Sequence, residues 1–370
     1  MLKNNLFSSS KINHTEFSNR LIVAPMTRVS ANYDGTVGPL MDEYYTDFAL
    51  GGFGGIITEG LYTDQNFSQG YANQPGLTND EQAHSWEEVV KNVHSSGSKI
   101  IAQLMHAGAL SQFNRYSDEV VGPSAVQPLG AKMPFYDGSG PFSIPRSMNI
   151  NEIEDAITGF VESARLAKQV GFDGVEIHGA NGYLLDQFLT NYTNFRSDRY
   201  GGDLDRRIQL IRDVIYEVKS ALGNDYVVGI RLSQTKVNDS LYCWPGGRVD
   251  AKKIFFTVSN SGASYIHTTE PDLNRPLSPG GKPLSFLAKK YGGIPVISNG
   301  GVLESEQAID SINMGGADFV SIGKAALANS DWPKKIKSGS HLESFDFEML
   351  SPRASLDNAD KYISGRYALK

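Results

Sequence analysis

The run His178-Gly179-Ala180-Asn181-Gly182-Tyr183 sets an imidazole, a carboxamide and a phenol close together in the chain. It follows the apolar segment Gly174-Val175-Glu176-Ile177 and precedes a stretch with helical character. All three side chains therefore belong to the mouth of a strand-to-helix turn. Histidine and asparagine can hydrogen-bond a carbonyl or phenolate oxygen. A tyrosine hydroxyl, with an ordinary pKa of about 10, can give a proton to carbon. Two oxygen binders and one acid suit chemistry on an activated double bond. Taken singly, each residue has a plainer reading: a structural histidine, an Asn-Gly turn, one of 17 tyrosines.

Something must hold that turn in place, and the rest of the chain supplies it. Short β-branched runs at 20–24, 54–58, 99–104, 172–178, 226–232, 264–267, 294–298 and 318–322 read as strands. Helical patterns at 81–95, 151–170, 204–222, 251–259 and 304–314 fall between them. In the helix from Asn151, Ile153, Ile157, Phe160, Val161, Ala164 and Ala167 recur at helical spacing, and Asn149 or Asn151 is a candidate cap. Eight strands alternating with helices, without a break in composition, predict a single (β/α)8 TIM barrel in one domain, with a core of about 19–337. Residues before Arg20 form an expected hairpin closing the barrel floor. The Gly-, Pro- and Ser-rich segment of about 109–148 reads as an insertion after the third strand that covers the site. A surface elaboration with no role is the alternative. The tail of about 338–370 has little regular pattern until 358–363.

In such barrels ligands meet the C-terminal strand ends. Those ends carry Pro25-Met26-Thr27, Gly60, Gln103, Arg231, Gly300-Gly301 and Gly323-Lys324. Glycines let backbone N–H groups approach an anion, and a cation at a helix start opposes the helix dipole unless an anion lies between them. Lys324 thus points to a phosphate, although Gly-Gly pairs alone are common in turns. An inward Arg231 would stabilise an anionic ring such as a reduced flavin; a salt bridge is the plainer reading. Gln103 and Thr27 suit the polar edge of a heterocycle.

Composition excludes other classes. With 41 acidic against 34 basic residues, the net charge of −7 argues against a nucleic-acid partner. The lone cysteine, Cys243, excludes a disulfide framework, a CxxC zinc site and a cysteine-held iron–sulfur cluster within this chain. His106, His178 and His267 lack metal-ligand spacing, so no metal is expected. No apolar leader and no run of roughly 18 apolar residues is seen, so the expectation is a soluble cytoplasmic protein without a membrane partner. A homo-oligomer is compatible with this composition and not decided by it.

These landmarks, in this order, resemble the Old Yellow Enzyme family of FMN-dependent NAD(P)H oxidoreductases and ene-reductases. The resemblance covers roughly residues 5–335. It rests on Ala24-Pro25-Met26-Thr27-Arg28, Thr58-Glu59-Gly60, Gln103-Leu104-Met105-His106-Ala107-Gly108, His178 to Leu185, Arg196-Ser197-Asp198-Arg199-Tyr200-Gly201-Gly202, Arg231-Leu232-Ser233, Asn299-Gly300-Gly301 and Gly323-Lys324. It implies that Thr27, Pro25, Met26 and Gly60 line the flavin and that Gln103 and Arg231 hold its pyrimidine edge. It also implies that Gly300, Gly301, Gly323 and Lys324 hold the phosphate. His178 and Asn181 would grip a substrate carbonyl, Tyr183 would be the proton donor, and Tyr71 would belong to the substrate pocket. Two residues depart from the family pattern: Lys324, where many members carry arginine, and Met105, where several carry tryptophan. The loop 234–247 with Trp244 matches no family pattern and is expected to shape the substrate pocket.

The expected activity is hydride transfer from NADH or NADPH through non-covalent FMN to an electron-poor alkene, a small molecule such as an enone. Two alternatives remain at this point. One is a flavin-free barrel lyase or isomerase acting on a phosphorylated substrate, and the other is a non-catalytic flavin-binding redox sensor.

Overall fold

The computed structural model describes residues 5–277 and 281–368. Eight parallel strands close into a barrel: β1 (Leu21–Val23), β2 (Gly55–Tyr62), β3 (Lys99–Met105), β4 (Gly174–Asn181), β5 (Val227–Lys236), β6 (Tyr265–Thr269), β7 (Val296–Asn299) and β8 (Phe319–Ile322). β8 pairs back onto β1, Val320 with Leu21 and Ile322 with Val23, so no sheet edge is left open. Every segment expected as a barrel strand is one. Parallel strands covered on both faces read as unbroken apolar runs, and in β2 all residues are buried.

Some boundaries differ from expectation. β2 continues to Tyr62 and β5 to Lys236, through polar residues that a hydropathy pattern does not flag. The register shifts between Ile57 and Gly60 in β2 and between Gly179 and Asn181 in β4. Such irregularities re-aim side chains at strand ends, and both fall at the barrel mouth. The helical pattern at 81–95 is two helices, Asp80–Ser85 and Glu87–Ser95, hinged at buried Trp86. The pattern at 204–222 is likewise divided at Ile208. Asn149 is the cap of the helix Ile150–Gln169; its side chain accepts the Glu152 N–H while Glu152 accepts the Asn149 N–H.

The floor is closed by the antiparallel hairpin Ser10–Ile12 with Thr15–Phe17. Ile12 and Phe17 join Ile22, Ile57, Ile101, Val227, Tyr265, Ile297 and Phe319 in one buried cluster filling the barrel's lower interior. Two additions stand at the other end. Segment 109–148 holds a short turn, Pro134–Tyr136, and a two-stranded pair, Val121–Gly122 with Arg146–Ser147. Arg196 anchors it by donating to the carbonyls of Pro123 (3.0 Å) and Met148 (2.5 Å). The tail forms a turn at Phe347–Leu350 and a helix at Leu356–Ala368. It is tied to the insertion by the Ala354 N–H on the Phe135 carbonyl (2.8 Å) and by Arg353 on Asp137 (2.9 Å). Among the described residues, no helix is long and apolar enough to cross a membrane.

Candidate active site

A cavity of about 280 Å³ opens at the C-terminal ends of the strands. Pro25, Met26 and Thr27 after β1, Gly60 on β2, Gln103 and Met105 on β3, His178 and Asn181 on β4, Tyr183, Arg231 on β5 and Lys324 after β8 all line it. Residues scattered over 300 positions of sequence thus share one wall.

The turn after β4 is held from several sides. Asn181 (φ 62°) and Gly182 (φ 87°) both take left-handed backbone, which glycine adopts freely and asparagine tolerates. The Gly182 N–H donates to Asp186 (2.7 Å), and its carbonyl accepts from the Gln187 amide (2.7 Å). Asp186 is fully buried and bonded through both oxygens to Lys236 Nζ at 2.8 Å. The Asn181 N–H is taken by Ser233 Oγ (2.8 Å).

His178 is buried, and its Nδ1 accepts the Ala180 N–H at 3.3 Å. Burial, reinforced by the Arg231 charge, lowers its pKa to about 3. The ring is therefore neutral, and with Nδ1 accepting, its proton sits on Nε2. That makes His178 a donor to an oxygen in the cavity. The Tyr183 ring meets it edge-on at 4.9 Å. Burial pushes the Tyr183 hydroxyl above its ordinary pKa, while the Tyr71 hydrogen bond and Arg231 pull it back. Tyr183 therefore keeps its hydroxyl proton near neutral pH.

The adjoining strand ends, where Arg231 pairs in register with His178, suit the pyrimidine edge of a flavin. Arg231 is 6% exposed; its Nη2 donates to Thr269 (3.2 Å) and Asn299 (3.1 Å), and its buried Nε has no partner among the described residues. A buried guanidinium N–H without an acceptor is costly, and an acceptor on a bound ring relieves it. Gln103 donates its amide N–H to Glu176 (2.8 Å), which leaves its oxygen to accept from a ring N–H. At Gly60, a Cβ would lie 2.5 Å from Met105 Sδ, so a side chain there would force Met105 to shift. The residues present fit FMN.

The turn carrying Thr27 is fixed by Glu59, which accepts the Arg28 N–H at 2.9 Å, and by Tyr136, whose hydroxyl donates to the Thr27 carbonyl at 3.4 Å. Lys324 reaches the cavity, with its ammonium 4.6 Å from the Phe347 ring centre. Gly323 precedes it and packs beside Met26.

Besides Gly323, four expected residues lie outside this lining. Gly300 and Gly301 face the loop after β6: Gly300 accepts the Leu273 N–H (3.1 Å), and a Cβ on Gly301 would sit 2.9 Å from the Pro271 carbonyl. Close passage of that loop accounts for both glycines. The placement of Trp244 in the substrate pocket is corrected: it is buried edge-on against Phe255 at 5.8 Å, and Val237 is what its loop gives to the cavity. Tyr71 does not face the cavity either. It is buried behind Tyr183, hydroxyl to hydroxyl at 2.6 Å. Sequence reasoning missed Met133, Phe135 and Tyr136 of the insertion and Phe345 and Leu350 of the tail, all on the cavity wall. The aromatic pair after Pro134 was the one available signal.

Comparison with known proteins agrees with this geometry. The model of the NADH:flavin oxidoreductase / NADH oxidase family matches residues 5–343. The chain is 35% identical over 350 residues to an NADH oxidase of Thermoanaerobacter brockii, covering 92% of this chain and 52% of that protein, so it spans about half of that relative's length. It is 30% identical over 366 residues to 12-oxophytodienoate reductase 7 of Oryza sativa subsp. japonica, covering 92% and 89% of the two chains. The structure of morphinone reductase in complex with tetrahydroNAD superposes with a TM-score of 0.82 at 30% identity, over 92% of this chain and 93% of that one. The old yellow enzyme homologue from Zymomonas mobilis gives a TM-score of 0.86 at 29% identity, over 97% and 99%. With a family model spanning nearly the whole barrel and a cavity whose wall fits the flavin, the chain belongs to the NADH:flavin oxidoreductase / NADH oxidase family and is an FMN-dependent NAD(P)H oxidoreductase.

Proposed function

We propose that the chain reduces electron-poor alkenes, enones in particular, and that the residues of the cavity divide the work as follows. Pro25, Met26, Thr27 and Gly60 line the flavin, Gln103 and Arg231 hold its pyrimidine edge, and Lys324 with the backbone at Gly323 takes the phosphate. Bound FMN would supply the hydride chemistry that links NADH or NADPH to the β-carbon of the alkene. His178 Nε2–H and the Asn181 amide hold the substrate's carbonyl oxygen and stabilise charge developing there. Tyr183 delivers the proton to the α-carbon. Met105 bounds the pocket. The insertion and the tail, through Tyr136 and Phe345, exclude water. The reading takes the chain as one FMN-binding domain acting on a small molecule in the cytoplasm.

One observation carries it: an acid and two oxygen binders share a cavity with a buried arginine whose Nε lacks an acceptor. A flavin-free lyase leaves that arginine unexplained. An anaerobic titration tests the proposal. Bound flavin should bleach with NADH or NADPH and recover its colour on addition of an enone. Bleaching without recovery by any enone would refute alkene reduction, whereas a redox sensor would hold flavin that neither nicotinamide bleaches.

A further inference from the structure

Beneath the Gln103–Arg231 wall lies a charge that the proposed chemistry does not use. Glu176 on β4 is fully buried. It belongs to one row of neighbours across the barrel: Gly60 with Gln103, Gln103 with Glu176, Glu176 with Gly229, and Gly229 with Tyr265. Gly229 is the gap in that row. A Cβ there would run into the Tyr265 ring, so its absence lets the ring cross β5 and place its hydroxyl on Glu176 Oε2 at 2.9 Å. His267 Nδ1 meets the same oxygen at 2.8 Å, and its Nε2 meets Ser321 Oγ at 2.8 Å. Glu176 Oε1 accepts from Gln103 at 2.8 Å.

Burial alone would raise the Glu176 carboxyl, but His267, Arg231 and Gln103 outweigh it and hold the pKa below its ordinary value. The group is an ionised carboxylate, served by three donors. Arg231 spends its Nη2 on Thr269 and Asn299 rather than on Glu176. The anion and the cation thus act on the same edge of the site without consuming each other's hydrogen bonds.

Two consequences follow from elementary chemistry. An ionised carboxylate only accepts, so Gln103 must turn its NH2 toward Glu176 and its oxygen toward the cofactor. A buried negative charge also opposes the pull of Arg231 on any negative charge that reduction places on the ring. We propose that Glu176 is a positioning residue that lowers the flavin's reduction potential, by fixing Gln103 as an acceptor and offsetting Arg231.

The inference rests on FMN occupying this cavity, and the experiment separates the two. Midpoint potentials of the FMN-loaded wild type, Glu176→Gln and Tyr265→Phe are measured anaerobically by dye equilibration. Wild-type protein that keeps no flavin after desalting overturns the cofactor reading and the inference together. In Glu176→Gln, the reduced-to-oxidised ratio at a fixed potential should rise about tenfold, a shift of about 30 mV upward for a two-electron couple. In Tyr265→Phe, the carboxylate keeps its charge and loses a donor, so the potential should move down. An unchanged or lowered potential in flavin-loaded Glu176→Gln overturns the proposal. If that variant yields no flavin-loaded protein, Tyr265→Phe decides. A lower potential supports the proposal and an unchanged or higher one overturns it. A merely structural role for the row would not move the two variants' potentials in opposite directions.

Discussion

Replacing Tyr71 by phenylalanine isolates a single contact. Tyr71 is fully buried, and its hydroxyl lies 2.6 Å from that of Tyr183. If Tyr183 gives its proton to substrate, its oxygen gains negative charge, and Tyr71 must be the donor in that contact. A hydrogen bond to a charged group is worth roughly 1.5–3 kcal/mol, so its loss should slow proton delivery roughly 10- to 150-fold. The sign agrees with the electrostatics: the Tyr71 bond pulls the Tyr183 pKa down, so removing it makes Tyr183 a weaker acid. Phenylalanine keeps the ring that packs, tilted, against Tyr136 at 4.6 Å, so the wall should persist. Anaerobic stopped-flow separates the half-reactions. Bleaching of the flavin by NADH or NADPH should be unchanged, because Tyr71 does not line the cavity. Re-oxidation by an enone should slow, while re-oxidation by a quinone, which needs no proton on carbon, should not. Enone re-oxidation at the wild-type rate would refute the reasoning.

Three further outcomes are expected. Asp186→Asn leaves Lys236, 2% exposed, without its counter-charge, which should cost about 3–5 kcal/mol and lower the melting temperature markedly in calorimetry. Lys324→Arg replaces a point charge with a fork able to grip phosphate through two bonds; fluorescence titration of apoprotein should show FMN held about tenfold tighter. His178 titrates at about 3 when folded against an ordinary 6.5, so the unfolded chain binds more protons between those values and stability falls as pH drops from about 6.5 toward 3. His178→Asn should flatten that part of the acid-unfolding curve, read by circular dichroism at successive pH values.

The barrel was legible because its strands are buried on both faces and read as β-branched runs. The site was legible in part, because its polar residues stand at the C-terminal ends of those runs. Glu176 hid inside an apolar run; only the register reveals that Gln103, Gly229 and Tyr265 stand beside it. The end of β5 escaped notice because Gln234, Thr235 and Lys236 look like loop, and it is Asp186, 50 residues earlier, that permits a buried lysine there. That the insertion covers the site was legible from its place after the third strand, but which of its residues reach the cavity was not. Phe135 and Phe345 reach the cavity through contacts between distant segments, such as Ala354 on Phe135, which no local pattern encodes. Trp244 misled because an aromatic in an unmatched loop suggests a pocket, whereas Phe255 on the next helix gave it a place to bury.

Tyr183→Phe addresses the central claim, that this hydroxyl is the acid of alkene reduction. The measurement is the rate at which an enone re-oxidises the reduced, flavin-loaded enzyme, with the rate of flavin reduction by NADH or NADPH as the internal control. General acid catalysis contributes roughly 10²–10⁴-fold, so the variant should lose about that much in enone re-oxidation and nothing in flavin reduction. An enone re-oxidation rate equal to wild type, with flavin reduction also unchanged, would contradict the account.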